Sequence, residues 1–232
     1  IYGRNKWKAV TRYCRNGSTI KANAIDNIPI IAKCIIATIG IRRTINMLKI
    51  STMSGKLKGF KALNTNTLSN DFCVKMYNSG KDDIICTFCY SHRMLNTYRK
   101  SCVDPWQNNS DLLSKSLLKD YQIPRITESE FRFHGHGELI NRTHLRNLAL
   151  IAEHNSHCNF ALWTKRKNIV REVFEDQERP FNLILIYSNP VIDKVMRKPP
   201  KRFDKVFNNV NSPTDGENCT GQKCKDCLAC YE

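Results

Sequence analysis

Hydrophobic and polar positions alternate most regularly in the second half of the chain. Glu130-Phe131-Arg132-Phe133-His134 places apolar residues at every second position, the period of a half-buried β-strand. The turn Gly135-His136-Gly137-Glu138 follows it. From Thr143 to Glu153 the period changes: Leu145, Leu148, Leu150 and Ile151 fall on one broad face, which predicts an amphipathic helix. Asn159-Phe160-Ala161-Leu162-Trp163 is a short apolar strand ending at Thr164-Lys165, and Asn168 to Phe174 is a short helix. Asn182 to Tyr187 is the most strand-like run and stops at Ser188-Asn189-Pro190. Strand, helix, strand, helix, strand at this spacing predicts an α/β fold, either a parallel sheet or a partial β/α barrel. In such sheets chemistry gathers at the C-terminal strand ends, here 134–138, 163–165 and 187–189.

The first half is less regular. Residues 1–53 are expected to form a basic segment of the same domain. Within them Ile28–Ile41 suits a buried helix or a strand–helix pair, and Cys34 reads as a small buried hydrophobe. Residues 54–70 read as turns and loop. A helix is expected after Tyr90, and another over 109–122, capped by Ser110 or Asp111. The β/α core is expected over 54–200, and 201–232 as loop plus a cysteine-rich tail. The run at 28–41 contains Lys33 and is too short to span a bilayer, so no membrane partner is expected. No secretory signal is read at the start, and C-x2-C steps outweigh a disulfide framework, so a reducing, cytoplasmic setting is expected.

Charge adds a partner class. Thirty-seven Lys plus Arg against twenty-one Asp plus Glu give +16, a surface that attracts polyanions such as nucleic acid. The charges are spread along the chain and no nucleic-acid motif accompanies them.

Eleven cysteines carry the candidate chemistry. Cys219, Cys224, Cys227 and Cys230 stand at C-x4-C-x2-C-x2-C spacing in a segment too short and polar to hold itself by burial. Two C-x2-C steps sharing a cysteine suit a [4Fe-4S] cubane better than tetrahedral zinc, and they match the opening of ferredoxin motifs without the closing Cys-Pro. Upstream, Cys86 and Cys89 precede the predicted helix, and the Asn78-Ser79-Gly80 turn can return Cys73 toward them. Seven cysteines suffice for one open and one fully ligated cluster, or one cluster shares Cys86 and Cys89 with two tail cysteines. Cys14, Cys102 and Cys158 are isolated and read as structural. Gly135, Gly137 and Glu138 form a glycine-rich turn in which a ligand can approach the backbone and a carboxylate can accept from an ammonium group. For Lys165 a surface position is the expected one.

Cys86-Thr-Phe-Cys89-Tyr90, Phe131 to Glu138, Phe160 to Lys165, Asn182 to Ser188 and the terminal cysteines occur in an order that resembles the phage "gene product eighty-eight" family over roughly residues 54–232. The resemblance implies a protein of phages or mobile elements, acting in the host cytoplasm. It also implies iron–sulfur chemistry and a TIM-like β/α fold similar to radical S-adenosylmethionine enzymes. In those enzymes a cysteine loop follows the first strand, and a Gly-Gly-Glu-like turn after the second binds the methionine amino group. Gly135-His136-Gly137-Glu138 looks like that turn, whereas Cys73-x12-Cys86-x2-Cys89 departs from their C-x3-C-x2-C loop. Three functions follow. The first is an iron–sulfur protein with one or two [4Fe-4S] clusters and a redox role, its redox partner or small-molecule substrate open. The second is a radical S-adenosylmethionine-type enzyme with an open cluster, and the third a basic nucleic-acid-binding protein with structural zinc.

Overall fold

The computed structural model describes residues 47–212, 219 and 221–232. Expectations for 1–46, including those for Cys14, Cys34 and the apolar run, lie outside these residues. Six strands make one sheet in sequence order: β1 (Ile50–Thr52), β2 (Lys61–Leu63), β3 (Glu130–Phe133), β4 (Asn159–Thr164), β5 (Leu183–Ile192) and β6 (Lys205–Asn209). β1 runs antiparallel to β2, and every later pairing is parallel. The sheet is open, because β1 and β6 are its two edges. The α/β class is borne out, and the sheet is not closed as a barrel.

The crossovers carry the helices. Between β2 and β3 run α1 (Asp71–Tyr77), α2 (Tyr90–Asn96) and α3 (Val103–Lys115). α4 (Arg142–His154) joins β3 to β4, and α5 (Lys167–Asp176) joins β4 to β5. Period-two alternation gives the sheet two apolar faces. Phe131, Phe133, Phe160, Leu162 and Leu185 meet Leu113, Leu145, Leu148, Ile151 and Val173 of α3, α4 and α5, which forms the main core. Ala161 and Ile186 point the other way and gather with Phe60 and Tyr231 in a smaller cluster.

Buried amides tie the helices down. Asn147 of α4 donates from Nδ2 to the carbonyls of Leu113 and Ser116 and accepts from Leu118 N, closing the C-terminus of α3. Asn182 donates to the carbonyls of Ala152, Asn155 and Cys158, holding the end of α4 against β5. Each replaces water at carbonyls that would otherwise be stranded.

Several boundaries differ from those expected. The sheet extends beyond 54–200 at both edges, through β1 and β6. β6 falls in a basic, proline-containing stretch expected as loop; Asn208 is buried and bonds to Met196 and Asn189. β5 continues through Pro190 to Ile192, with an irregular register against β6 that accommodates the proline. α3 begins at Val103, and Ser110 is no cap: it sits inside the helix, donating to Trp106 O and accepting from Asn66 N.

Candidate functional site

The parallel strands deliver their C-terminal ends to one rim. β2 leads into Asn64-Thr65-Asn66-Thr67, four polar residues that are all buried. The sequence reading gives this stretch as turns and loop. Asn64 Oδ1 accepts from His136 N at 2.8 Å, and Thr65 N donates to His136 O at 3.1 Å, so the end of β2 clasps the glycine turn after β3. Gly137 lies at φ +109° with its Cα against Thr65, a position closed to any side chain. The hydroxyls of Thr65 and Thr67 are buried without a hydrogen-bond partner.

Glu138 is buried at 3% exposure, and its carboxylate is held by protein donors. Oε1 accepts from Leu139 N and Thr164 Oγ1, and Oε2 accepts from Lys165 N at 2.9 Å. Its backbone carbonyl accepts from Asn70 Nδ2 at 3.0 Å, and Asn70 also caps α1. The glutamate therefore locks the end of β4 to the turn after β3. Lys165 is half-buried rather than on the surface, and its Nζ donates to Ser188 Oγ at 3.3 Å at the end of β5. Burial disfavours the ammonium, yet Cys86, Glu138, Cys73 and Cys89 hold its pKa above the ordinary value.

That electrostatic neighbourhood brings the upstream cysteines together. Cys73 sits in the first turn of α1, Cys86 in a 3-10 turn over Ile85–Phe88, and Cys89 is the N-cap of α2. α1 packs on that 3-10 turn, so the twelve intervening residues become a helix and a reversal that return Cys73 to its partners. Burial pushes the Cys73 and Cys86 thiols up, while Lys165 favours their thiolates.

The tail forms a second group. Cys224 and Cys227 bound a one-turn helix, α6 (Cys224–Cys227), and Cys219 accepts from Lys56 Nζ at 2.8 Å. The hydrogen bond that Lys56 donates to Cys219, then the charges of Cys219, Cys224 and Cys230, raise the Lys56 pKa against its burial. Burial raises Cys224 and Cys230, and Arg132 opposes it at both, joined by Lys56 at Cys224 and Lys205 at Cys230. The tail packs on the face of the sheet opposite α3, α4 and α5. Cys224, Leu228, Cys230 and Tyr231 pack with Phe60, Ala161, Ile184, Ile186 and Phe207. Lys225 pairs with Glu130 at 3.1 Å, and Lys205 donates to Ala229 O. Both contacts are made at strand starts, so the tail does not cap the C-terminal rim. Among the described residues no group of three or more His, Cys, Asp or Glu side chains is arranged to hold a metal ion.

Cys102 is half-buried beside Leu68, and Cys158 is buried in the main core, as expected for structural cysteines. The two histidines of the turn point to opposite sides. His134, at φ +59°, turns toward α4, with Nε2 3.3 Å from His144 Nε2. His136 stacks on Trp106 at 4.7 Å, with Nδ1 3.1 Å from Ser91 Oγ. Burial, then Arg132, lowers their pKa values to about 3 and about 4, Lys165 adding to His134 and Arg99 to His136. The folded state therefore favours the neutral rings. Their contribution is complete above about pH 6.5 and is lost as pH falls toward 4. The urea midpoint is expected to fall between pH 7.5 and pH 5, with a shallower fall in His136→Gln; equal slopes in the two proteins would contradict it.

Sequential parallel strands, a glycine turn locked by Glu138 and two separate cysteine groups define a mixed α/β protein with its polar machinery at the strand ends. A family model described as Gene product 88 matches residues 45–232, and the chain belongs to that phage family. No curated protein and no solved structure matches it. No helix among the described residues is long and apolar enough to cross a membrane.

Proposed function

We propose that this chain is a two-centre iron–sulfur protein of phages or mobile elements, working in the host cytoplasm. Cys73, Cys86 and Cys89 would hold an open [4Fe-4S] cluster and Cys219, Cys224, Cys227 and Cys230 a closed one. The observation that carries the reading is the partition of seven cysteines into three and four, on different parts of the sheet, each beside lysine or arginine. The donor set fits: thiolate-only ligation suits iron–sulfur clusters, whose net negative charge such cations balance. Lys165 would serve the first group, and Lys56, Arg132 and Lys205 the second. Bound there, the clusters would supply one-electron chemistry. The chain's residues would supply the thiols and the counter-charge and would bury part of each site.

Anaerobically purified protein is expected to carry about eight irons and eight sulfides per chain, with broad absorbance near ~400 nm. Cys86→Ser with Cys89→Ser should remove about half and leave the tail's share. A colourless protein carrying zinc without sulfide would overturn the reading, and loss of all iron on that double substitution would return both groups to one shared cluster.

The order of features along the strands favours a second reading, a radical S-adenosylmethionine-type enzyme on a partial β/α barrel. Three cysteines follow the first parallel strand, and Gly135-His136-Gly137-Glu138 follows the second. In this reading the turn backbone receives the methionine end of the cofactor. Glu138, three of whose hydrogen bonds are already made to protein, fixes the turn rather than acting alone on the amino group. Adding S-adenosylmethionine should perturb the EPR spectrum of the reduced protein; an unchanged spectrum and no cofactor cleavage would count against it.

A further inference from the structure

β5 and β6 are parallel, so the chain between them returns from the end of one strand to the start of the other beside the sheet's edge. That return is strongly basic. Lys194, Arg197, Lys198, Lys201, Arg202 and Lys205 stand there against one acid, Asp204. The acid is already met: its carboxylate accepts from Arg179 at 2.6 and 2.8 Å and from Leu185 N at 2.8 Å. Among the described residues none of the six cations makes an ion pair. Five of them are exposed, and Lys205 is half-buried with its Nζ on Ala229 O. The backbone that carries them is tied down. Met196 exchanges two hydrogen bonds of 3.0 Å with the side chain of buried Asn208, Lys194 O accepts from Asn189, and Phe203 is buried edge-on to Tyr187. The charges are therefore displayed from a preformed segment, which lowers the ordering cost of binding. Like charges held this close repel, and a partner with a series of negative groups relieves them.

A cavity of about 310 Å³ opens at the same edge, the size of a small ligand site. Ile186, Phe207 and Pro199 give it apolar surface, Arg197 and Lys205 give it charge, and Ala229 and Cys230 of the tail complete it. Asp204 also lines it, with its carboxylate held as above. A bare polyanion has no use for an apolar recess. A single-stranded nucleic acid does, because flat bases alternate with its phosphates and are free to leave the stack.

We propose that this edge binds single-stranded nucleic acid, its phosphates along the 194–205 crossover and one base in the cavity. Lys198, Lys201 and Arg202 meet phosphates, while Arg197 and Phe207 receive the base. The site goes beyond the iron–sulfur reading and does not depend on it.

Fluorescence anisotropy of a labelled oligothymidylate with the full chain tests it. Binding is expected at low salt, with log affinity falling linearly against log salt concentration. Lys198→Ala, Lys201→Ala and Arg202→Ala together should lower that slope by about 2, since each phosphate contact on a single strand contributes about 0.7. Removing three exposed cations elsewhere, by Lys81→Ala, Lys100→Ala and Arg125→Ala, should leave the slope unchanged. Inorganic polyphosphate of equal charge, which lacks bases, should compete about tenfold less well than unlabelled oligothymidylate, and Arg197→Ala should remove that preference. No binding at low salt would overturn the proposal. Equal loss of slope in the two triple variants would reduce the surface to net charge, and equal competition by polyphosphate would empty the cavity of its base; either result overturns it. So would a duplex of the same length bound as tightly, or polyglutamate competing as well as the oligonucleotide, which would make an acidic protein the partner.

Discussion

Gly137→Ala is expected to be among the most damaging single changes in the chain, at more than about 3 kcal/mol of lost stability. An added Cβ would fall within the hydroxyl of Thr65, 2.9 Å from Thr65 O and 3.0 Å from Thr65 N. Neither backbone atom can retreat, because Thr65 N is bonded to His136 O across the same gap. The residue also sits at φ +109°, where a side chain is strained whatever the space. The clasp between β2 and β3 must then open, and Glu138 leaves its donors. Urea unfolding at pH 7.5 measures the loss, and a wild-type midpoint in Gly137→Ala would refute the clasp. Gly80→Ala is the control for backbone strain alone, since nothing lies within 4 Å of its added Cβ at φ +65°.

Phe160→Ala is expected to cost about 3–5 kcal/mol through the cavity it leaves. Phe160 is fully buried in β4, stacked on Phe133 at 4.9 Å and tilted against Phe131 at 5.6 Å. These three rings join neighbouring strands to the helix layer, so no single side chain can swing in to fill the space. Phe160→Leu should recover roughly half of the loss by restoring volume. A loss under about 1 kcal/mol for the alanine variant would mean that the helices do not close on this face as described.

The second half of the fold was legible because its periods are clean. β3, α4, β4, α5 and most of β5 follow directly from alternation and helical spacing. β2 was hidden because three residues, Lys61-Ala-Leu63, sit among glycines, serines and asparagines, and only their place in the sheet makes them a strand. β6 was hidden because its buried position at Asn208 is polar and is satisfied by distant amides. α3 was displaced because Ser110 resembles a cap in sequence; Pro105, in the first turn of the helix, was the better signal for its start.

At the candidate site, spacing was enough to nominate the seven cysteines and the Gly135–Glu138 turn. Their partition was not readable. It depends on α1 folding back onto the 85–88 turn and on the tail lying on the opposite side of the sheet from the helices. Lys165 was underrated because a lysine after a strand is usually solvated; here Ser188, Glu138 and the upstream cysteines surround it. Arg132 was passed over as the polar half of an alternating strand, when the face it occupies is covered by the tail.

That covering has a consequence for the order of synthesis. The helix side of the sheet can close as each crossover leaves the ribosome, because every helix lies beside the strands it connects. The opposite face cannot. Ala161, Ile186, Trp163 and Phe207 wait for Leu228 and Tyr231, which follow every strand in the chain. A nascent chain halted after β6 would therefore present an apolar sheet surface, the kind that recruits chaperones or self-associates. The 224–231 turn acts as a lid added after the sheet, and its thiols arrive only when the surface they rest on already exists.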